Sequence, residues 1–389
     1  METRRTQVVI IGAGPSGLLL GQLLHKHGID HLILEARSPD YVLGRIRAGV
    51  LEQPTIAALN EAGAGERAER EGLHMRGFDL RWDEERCHID FGLIGTHATV
   101  YGQTRITRDL MDARATTGGI TLYEAADVRP HDIESDHPWV TCRHEGRDLR
   151  IDCDFIAGCD GFHGVSRQSI PKEHLREQGL AFPFGWLALL ADVPPVSEEV
   201  AWINGAEGFL MCSLRSRTRS RYYIQVPADE HISQWNADRF WDAYRSRLPS
   251  DLAEKLITGP ALEMSIAPLR SYVCSTMRHG RLFLVGDAAH VVPPTGAKGL
   301  NLAVGDAKTL ADGLRQHYQD HDAHGIDQYC EHALKRIWKA VRFSWWMTHL
   351  THRITDNPFE RQIQIAELEY TRESVAARTA IAENFCGLA

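Results

Sequence analysis

Apolar and polar positions change rhythm along this chain, and the changes predict its elements. Gln7–Ile11 is a nearly unbroken β-branched run, as expected of a parallel strand covered on both faces. Leu18–His27 places Leu19, Leu20, Leu23 and Leu24 at helical spacing and stops at Gly28. His31–Leu34 is a second strand, ending in Glu35, so the opening segment reads as one βαβ unit. From Gly77 to Cys142 short alternating strands surround a helix near Thr107–Thr116. Arg150–Gly158 reads as a strand that runs into Cys159-Asp160-Gly161. Ala181–Ile224 alternates and is rich in aromatics, which predicts an antiparallel sheet. Gly280–Val285 is a further buried strand leading into Gly286-Asp287-Ala288-Ala289-His290. From Asn301 onward the period is helical, through Leu310 and Leu314 and again over Ile337–Met347.

Nucleotide-type segments and sheet-forming segments therefore interleave. The predicted fold is α/β: a discontinuous dinucleotide-binding Rossmann-like domain with an inserted antiparallel β-sheet domain and a helical C-terminal region. The expected partition assigns residues 1–76, 100–180 and 268–320 to the dinucleotide domain. Residues 77–99 and 181–267 form the substrate sheet, and 321–389 the helical region. A length of 389 residues fits more than one core.

Composition narrows the class. A net charge of −9 argues against a nucleic-acid binder that relies on a positive face. The longest apolar run, near Phe182–Ala191, is about half the ~20 residues that cross a bilayer. Arg4-Arg5 before an apolar stretch imitates a twin-arginine signal, but the stretch ends at once in a glycine-rich turn. A cytoplasmic protein without membrane or nucleic-acid partners is expected. Eight cysteines without a C-x-x-C pair read as free thiols, and no metal site is expected around them.

Gly12-Ala13-Gly14-Pro15-Ser16-Gly17 opens a helix directly after a strand. Gly12 permits the tight turn, Gly14 lets the backbone approach a pyrophosphate, and Gly17 allows close helix–strand packing. The helix N-terminus offers N–H donors to phosphates, and Glu35 can accept a ribose hydroxyl. One such fingerprint could hold FAD or a nicotinamide nucleotide. Asp160-Gly161, Gly286-Asp287 and Pro293–Asn301 follow in an order that favours a flavin. His349 and His352, one helical turn apart without an acid or cysteine cluster, read as surface or interface residues. Trp345-Trp346 reads as packing between C-terminal helices or as a dimer interface, which leaves a homodimer open.

Gly12–Gly17 with Glu35, Tyr41–Gln53, Cys159–Ser169, Ser213–Gln225 and Gly286–Asn301 resemble the single-component FAD-dependent aromatic hydroxylases, the 4-hydroxybenzoate 3-monooxygenases among them. The similarity runs almost end to end, to Ala382-Glu383-Asn384. It implies FAD as cofactor, NADPH or NADH as co-substrate, O2, and a small aromatic carboxylate hydroxylated at position 3 through a flavin C4a-hydroperoxide. Carried over by motif, Gly12, Gly14, Ser16, Gly17, Glu35, Arg45, Arg47, Gln103, Asp160, Asp287, Leu300 and Asn301 would bind FAD. Ser213, Leu214, Arg215 and Tyr223 would hold the substrate, its carboxylate on Arg215, with Trp202, Pro294 and Phe385 around the ring. Arg221 would sit beside the flavin, and Pro294 and Thr295 beside the reacting carbon. Arg37, Tyr41, His163, Arg167 and Arg270, with Arg47, would receive the nicotinamide donor. Ala36 follows Glu35 where NADPH-selective relatives carry arginine, so either donor fits. An arginine fork clamping a carboxylate, completed by hydroxyls, agrees with this on chemistry alone.

The sequence departs from the resemblance at one place. In 4-hydroxybenzoate hydroxylases two tyrosines and a histidine draw the phenolic proton away. Here Trp202 and Phe385 stand at the tyrosine positions, and Met75 at the histidine position with His74 adjacent. An indole N–H can donate but cannot relay a proton as a hydroxyl does, and Phe385 has no polar side-chain atom. An aromatic amine activates its ring while neutral and needs no relay. The expected substrates are therefore 4-aminobenzoate, giving 4-amino-3-hydroxybenzoate, and 4-hydroxybenzoate, giving 3,4-dihydroxybenzoate, with His74 or water serving the latter. Hydroxylation of 3,4-dihydroxybenzoate, and an NAD(P)H oxidase that binds FAD and an aromatic acid without hydroxylating it, are the alternatives.

Overall fold

The computed structural model describes residues 1–45 and 49–388. Val8–Ile11 is fully buried and pairs in parallel with His31–Leu34 on one side and Phe155–Gly158 on the other. These strands belong to a six-stranded sheet in the order Arg278–His279, Leu282–Leu284, Phe155–Gly158, Val8–Ile11, His31–Leu34, Thr121–Leu122. The helix after the first strand spans Pro15–Lys26, three residues earlier than the leucine spacing alone predicts. Proline at its first turn explains the early start, because its fixed φ suits the helix and its missing N–H is not needed there. Gly28, at φ +65°, ends it. This helix packs against Gln103–Thr117 and Gly299–Arg315. Their leucines and the central strands make one continuous core.

The segment expected as a single strand over Arg150–Gly158 is two strands in two sheets. Arg147–Asp152 pairs with Trp139–His144 and Glu2–Arg5 in a separate four-stranded sheet. Phe155–Gly158 joins the six-stranded one. The chain changes sheet at Cys153-Asp154, where the N–H of Cys153 donates to Pro138 O and those of Asp154 and Phe155 to Gln7 O. A polar Asp-Cys-Asp between two apolar runs is the only sequence trace of this crossing.

An eight-stranded sheet forms the rest of the β structure, with Ala261–Cys274, Glu177–Ala191, Arg219–Pro227, Gly208–Ser216 and Ala201–Gly205 as neighbours in that order. It is antiparallel apart from one pairing: Ala201–Gly205 runs parallel to Gly77–Trp82. Alternation gives the sheet two different faces. Leu187, Leu189, Ile203, Leu210 and Tyr222 pack against Phe240, Trp241 and Tyr244 of the helix Ala237–Arg245. The opposite face, with Trp186, Trp202, Met211 and Tyr223, packs against Phe343, Met347, Ile381 and Phe385 of the C-terminal helices. Those helices span Tyr329–Thr351, Pro358–Glu373 and Val375–Cys386. No helix among the described residues is long and apolar enough to cross a membrane. The eight cysteines are unpaired, seven of them buried.

Candidate active site

The glycine-rich turn is built by close contacts that only glycine permits. Gly12 sits at φ +106°, and a Cβ there would lie 2.4 Å from Cys159 O. One on Gly17 would lie 2.0 Å from Gly12 O. A Cβ on Gly14 would meet nothing within 4 Å, so the space before the helix is open. The helix beginning at Pro15 has no side-chain cap, which leaves its first N–H groups and the positive end of its dipole for an anion. Ser16 is buried at this turn. Glu35 accepts from the N–H of Ala13 and of Arg37, both at 2.8 Å, and so braces the turn while keeping lone pairs for a sugar hydroxyl. Asp160 accepts from the N–H and hydroxyl of Ser166 through Oδ2. Its Oδ1 is buried without a partner, and burial raises its pKa. An open phosphate cradle flanked by a ribose-type acid and an orphaned buried carboxylate oxygen fits a dinucleotide such as FAD.

The other expected cofactor residues are placed less uniformly. Asp287 lies in the short turn Gly286–Ala288, directly after a buried strand. The N–H of Gly286 donates to Asp306 Oδ2 at 3.0 Å. Asp306 is fully buried and is also held by His290 Nε2 at 2.6 Å and Arg336 at 2.7 Å. His290 therefore pairs with Asp306 across the turn, an anchor that no sequence motif announced. The side chain of Asn301 is wholly engaged: Nδ2 donates to Val50 O and Ala297 O, and Oδ1 accepts from Glu52 N and Thr55 Oγ1. It fastens the start of the helix Gly299–Arg315 to residues 50–55, and only its main chain remains for a cofactor. Leu300 is half-buried beside it, Gln103 opens its helix half-buried, and Arg45 is exposed. Arg47 lies outside the described residues.

On the eight-stranded sheet, register brings the substrate-type residues onto one face. Trp202 faces Met211, which faces Tyr223; one step along, Ser213 faces Arg221. Arg215, two residues beyond Ser213, donates from Nη2 to the Tyr223 hydroxyl at 3.2 Å. Its Nε is buried with no partner, and no acid among the described residues is recorded in an ion pair with it. A partly buried cation without an anion is a site for a carboxylate ligand. Arg221 differs, since its Nη2 meets Glu263 at 3.1 Å and the Ser265 hydroxyl at 3.4 Å. Leu214 lies opposite Ser220, and the register shifts between Leu214 and Ser216, which puts Arg215 at an irregularity of the strand. Pro294-Thr295-Gly296 forms a short turn docked on the helix Tyr329–Thr351, with Thr295 Oγ1 3.1 Å from Thr348 Oγ1. Lys298 joins this turn to the last helix, donating to Glu52 at 2.5 Å and to Phe385 O at 2.9 Å.

The aromatic end of that face has no free hydroxyl at the two departure positions. The Trp202 indole N–H donates to Met211 Sδ at 2.8 Å. Phe385 packs on Phe78 and Phe91, with ring centroids 5.1 and 5.3 Å away. In the strand Leu73–Met75 the side chain of Met75 is buried in this cluster while His74 is exposed. His74 packs against His97 instead, ring centroids 4.2 Å apart and planes tilted by 35°. Met75, not His74, enters the cluster, and Leu73 and His74 are both exposed.

Of the expected donor residues, His163, Arg167 and Arg270 gather around Phe162. Arg270 Cζ lies 3.8 Å from the Phe162 ring centroid and Arg167 Cζ 4.6 Å. The Arg167 guanidinium is spent on Ala288 O, Phe162 O and Glu177, so it shapes the surface. Arg270 has no such anchors among the described residues, and His163 is exposed next to it. Arg37 and Tyr41 stack at 5.2 Å elsewhere on the surface, beyond Glu35. The expectation that His349 and His352 are both peripheral is half wrong. His349 is the outer residue, whereas His352 is fully buried, because the helix turns it onto Trp186 and Phe209.

Comparison with known proteins agrees with this geometry. A family model described as "FAD binding domain" matches residues 5–344. The chain is 51% identical to the p-hydroxybenzoate hydroxylase of Acinetobacter baylyi over 391 aligned positions, covering 100% of this chain and 96% of that one. It is 24% identical to 6-hydroxy-3-succinoylpyridine 3-monooxygenase HspB of Pseudomonas putida, with 81% of each covered. Among solved structures, p-nitrophenol 4-monooxygenase PnpA from Pseudomonas putida DLL-E4 superposes with a TM-score of 0.84 at 19% identity, covering 100% of this chain and 99% of that one. That structural likeness speaks for the fold.

Proposed function

This chain belongs to the FAD-binding family of flavoprotein aromatic hydroxylases, and from that premise we propose that it hydroxylates a para-substituted benzoate at position 3, with 4-aminobenzoate as the favoured substrate. It is an FAD-dependent monooxygenase that takes electrons from NAD(P)H. FAD held at the Gly12–Gly17 turn would supply the activation of O2. The chain's own residues do the rest. Arg215, with the Tyr223 and Ser213 hydroxyls, holds the carboxylate, and the sheet face orients the ring. Pro294 and Thr295 close the reacting edge. The packed aromatic cluster of Phe78, Phe91, Trp202 and Phe385 excludes water from the para end.

The observation that carries the amine is the occupied indole. Trp202 N–H is already donated to Met211, Phe385 offers nothing, and His74 faces away. A phenol bound there would find no side chain at these three positions to take its proton, whereas an amine donates into the ring without losing one. The reading that favours 4-hydroxybenzoate rests on the 51% identical p-hydroxybenzoate hydroxylase.

The test is NADH and NADPH oxidation by the FAD-loaded protein with 4-aminobenzoate, 4-hydroxybenzoate and 3,4-dihydroxybenzoate, products identified by mass. Hydroxylated 4-aminobenzoate as the main product supports the proposal. Tightly coupled turnover of 4-hydroxybenzoate, with the amine only consuming NAD(P)H, overturns the amine and keeps the hydroxylase. Peroxide without product from all three overturns hydroxylation of these acids.

A further inference from the structure

Away from the flavin and substrate residues, three chain segments bring two imidazoles and a carboxylate together. Glu134, His174 and His279 each offer one ligand atom, and the three atoms lie within 4.8 Å of one another. His279 Nε2 is 2.6 Å from Glu134 Oε1, and the two imidazole centroids are 4.9 Å apart. We propose that Glu134, His174 and His279 form a Zn2+ site that clips these three segments together on the surface of the FAD-binding half.

The backbone prearranges the site. Gly280, at φ +56°, turns the hairpin between Arg278–His279 and Leu282–Leu284 tightly enough that a Cβ there would lie 2.2 Å from Ile133 O. The N–H of Arg281 donates to that same Ile133 O at 2.7 Å. Glu134 is therefore held one residue from a fixed contact with the strand pair that carries His279. His174 is fixed from the other side, because its C=O accepts from the Thr276 hydroxyl at 2.7 Å and its N–H donates to Pro171 O.

Donor chemistry selects the ion. Two imidazoles with one carboxylate suit Zn2+, whereas Ca2+ and Mg2+ prefer all-oxygen sets. An ion about 2.1 Å from each donor needs donors roughly 3.4 Å apart in tetrahedral geometry. Small rotations of the exposed Glu134 and His174 side chains meet that from the present spacing. Water completes the coordination. Two other clusters of similar size are already filled by protein cations: Asp79, His88 and Glu199 hold Arg86 at 2.9 Å from Asp79, and His27, Glu61 and Asp312 hold Lys308. Among the described residues no Arg or Lys is recorded in an ion pair with Glu134, and His279 is its one recorded ion-pair partner.

Such a clip would also brace the donor surface. Three residues after His174 comes Glu177, which holds Arg167 against Phe162.

The experiment is a Zn2+ titration by calorimetry of the untagged, FAD-loaded full chain, beside His174→Ala, Glu134→Gln and, as a control, His88→Ala. The expected result is one Zn2+ per chain in the micromolar range, weakened by about a hundredfold or more in the first two variants and unchanged in the third. Zinc should raise the thermal midpoint of the parent and of His88→Ala but not of His174→Ala. An absorption-edge spectrum of the bound zinc should report nitrogen and oxygen ligands with two imidazoles. Binding that survives both His174→Ala and Glu134→Gln, or no binding at one millimolar zinc, overturns the site.

Discussion

His352 gives the sharpest energetic test of how the substrate sheet is supported. Its ring is fully buried, stacked on Phe209 at 4.1 Å and on Phe184 at 5.0 Å. Nε2 accepts the Trp186 indole N–H at 2.7 Å, so the proton sits on Nδ1, 3.1 Å from Thr348 O. Burial, opposed in part by the bond to Thr348, pushes its pKa from 6.5 down to about 3. The fold thus prefers the neutral ring. Stability from this preference is fully present above pH 6.5 and is lost as pH falls from there towards 3. Between pH 7 and pH 5 the loss works out at roughly 2 kcal/mol, because the unfolded histidine gains a proton that the folded one refuses. His352→Gln can still accept the indole N–H but cannot titrate. Urea unfolding followed by tryptophan fluorescence, at pH 7 and pH 5, should show the variant's pH slope flatter than the parent's by about that 2 kcal/mol. Equal slopes in the two proteins would refute the assignment of a buried neutral imidazole. Trp186 also packs on Tyr223, centroids 5.0 Å apart, so the variant should weaken aromatic-acid binding modestly at pH 7 as well.

Two further outcomes probe the ligand surfaces separately. Arg215→Met should cost the aromatic acid about 2–3 kcal/mol, or roughly 30- to 150-fold in its dissociation constant, measured by flavin absorbance change. The KM for NAD(P)H should stay where it was; loss of FAD instead would mean that Arg215 supports the cofactor. Arg270→Ala should uncover the Phe162 ring and raise the KM for NAD(P)H by roughly two- to fivefold, on the scale of a single exposed cation contact. An unchanged donor KM in steady-state kinetics would remove Arg270 from that surface.

What the sequence disclosed and what it withheld divide along physical lines. Gly12, Gly14, Gly17 and Glu35 were legible because their work is local: a turn, a helix start and the end of the next strand, all within two dozen residues. The two-faced sheet was legible from alternation in the same way. Cross-strand register was not. Nothing in the sequence says that Met211 lies opposite Trp202 and accepts the hydrogen bond of its indole N–H, which occupies the last polar group at the departure positions. The split of Arg150–Gly158 was hidden because the wholly buried second half, Phe155–Gly158, is too short to set its own period apart from the alternating strand before it, and what separates the two is their partners. The side chains of Asn301 and Arg167, expected to face ligands, are instead engaged by bonds to residues far away in sequence. His352 looked peripheral because a lone histidine near a helix end carries no periodic signal of burial.

The strand order of the six-stranded sheet has a consequence for how the protein is made. Phe155–Gly158 sits between Val8–Ile11 and Leu282–Leu284, and Gly12 closes only against Cys159. Three segments separated by more than a hundred residues must meet before the central strands are paired on both sides. A ribosome adding about 5–20 residues per second leaves the first strand waiting roughly 7–30 s for Phe155–Gly158, and that strand roughly 6–25 s more for Leu282–Leu284. Over the second interval the contiguous hairpins between Glu177 and Pro227 can pair among themselves, while Phe155–Gly158 remains an exposed apolar edge. The central sheet is thus completed late, and the vulnerable species in production of this protein is a nascent chain whose sheet still lacks Leu282–Leu284.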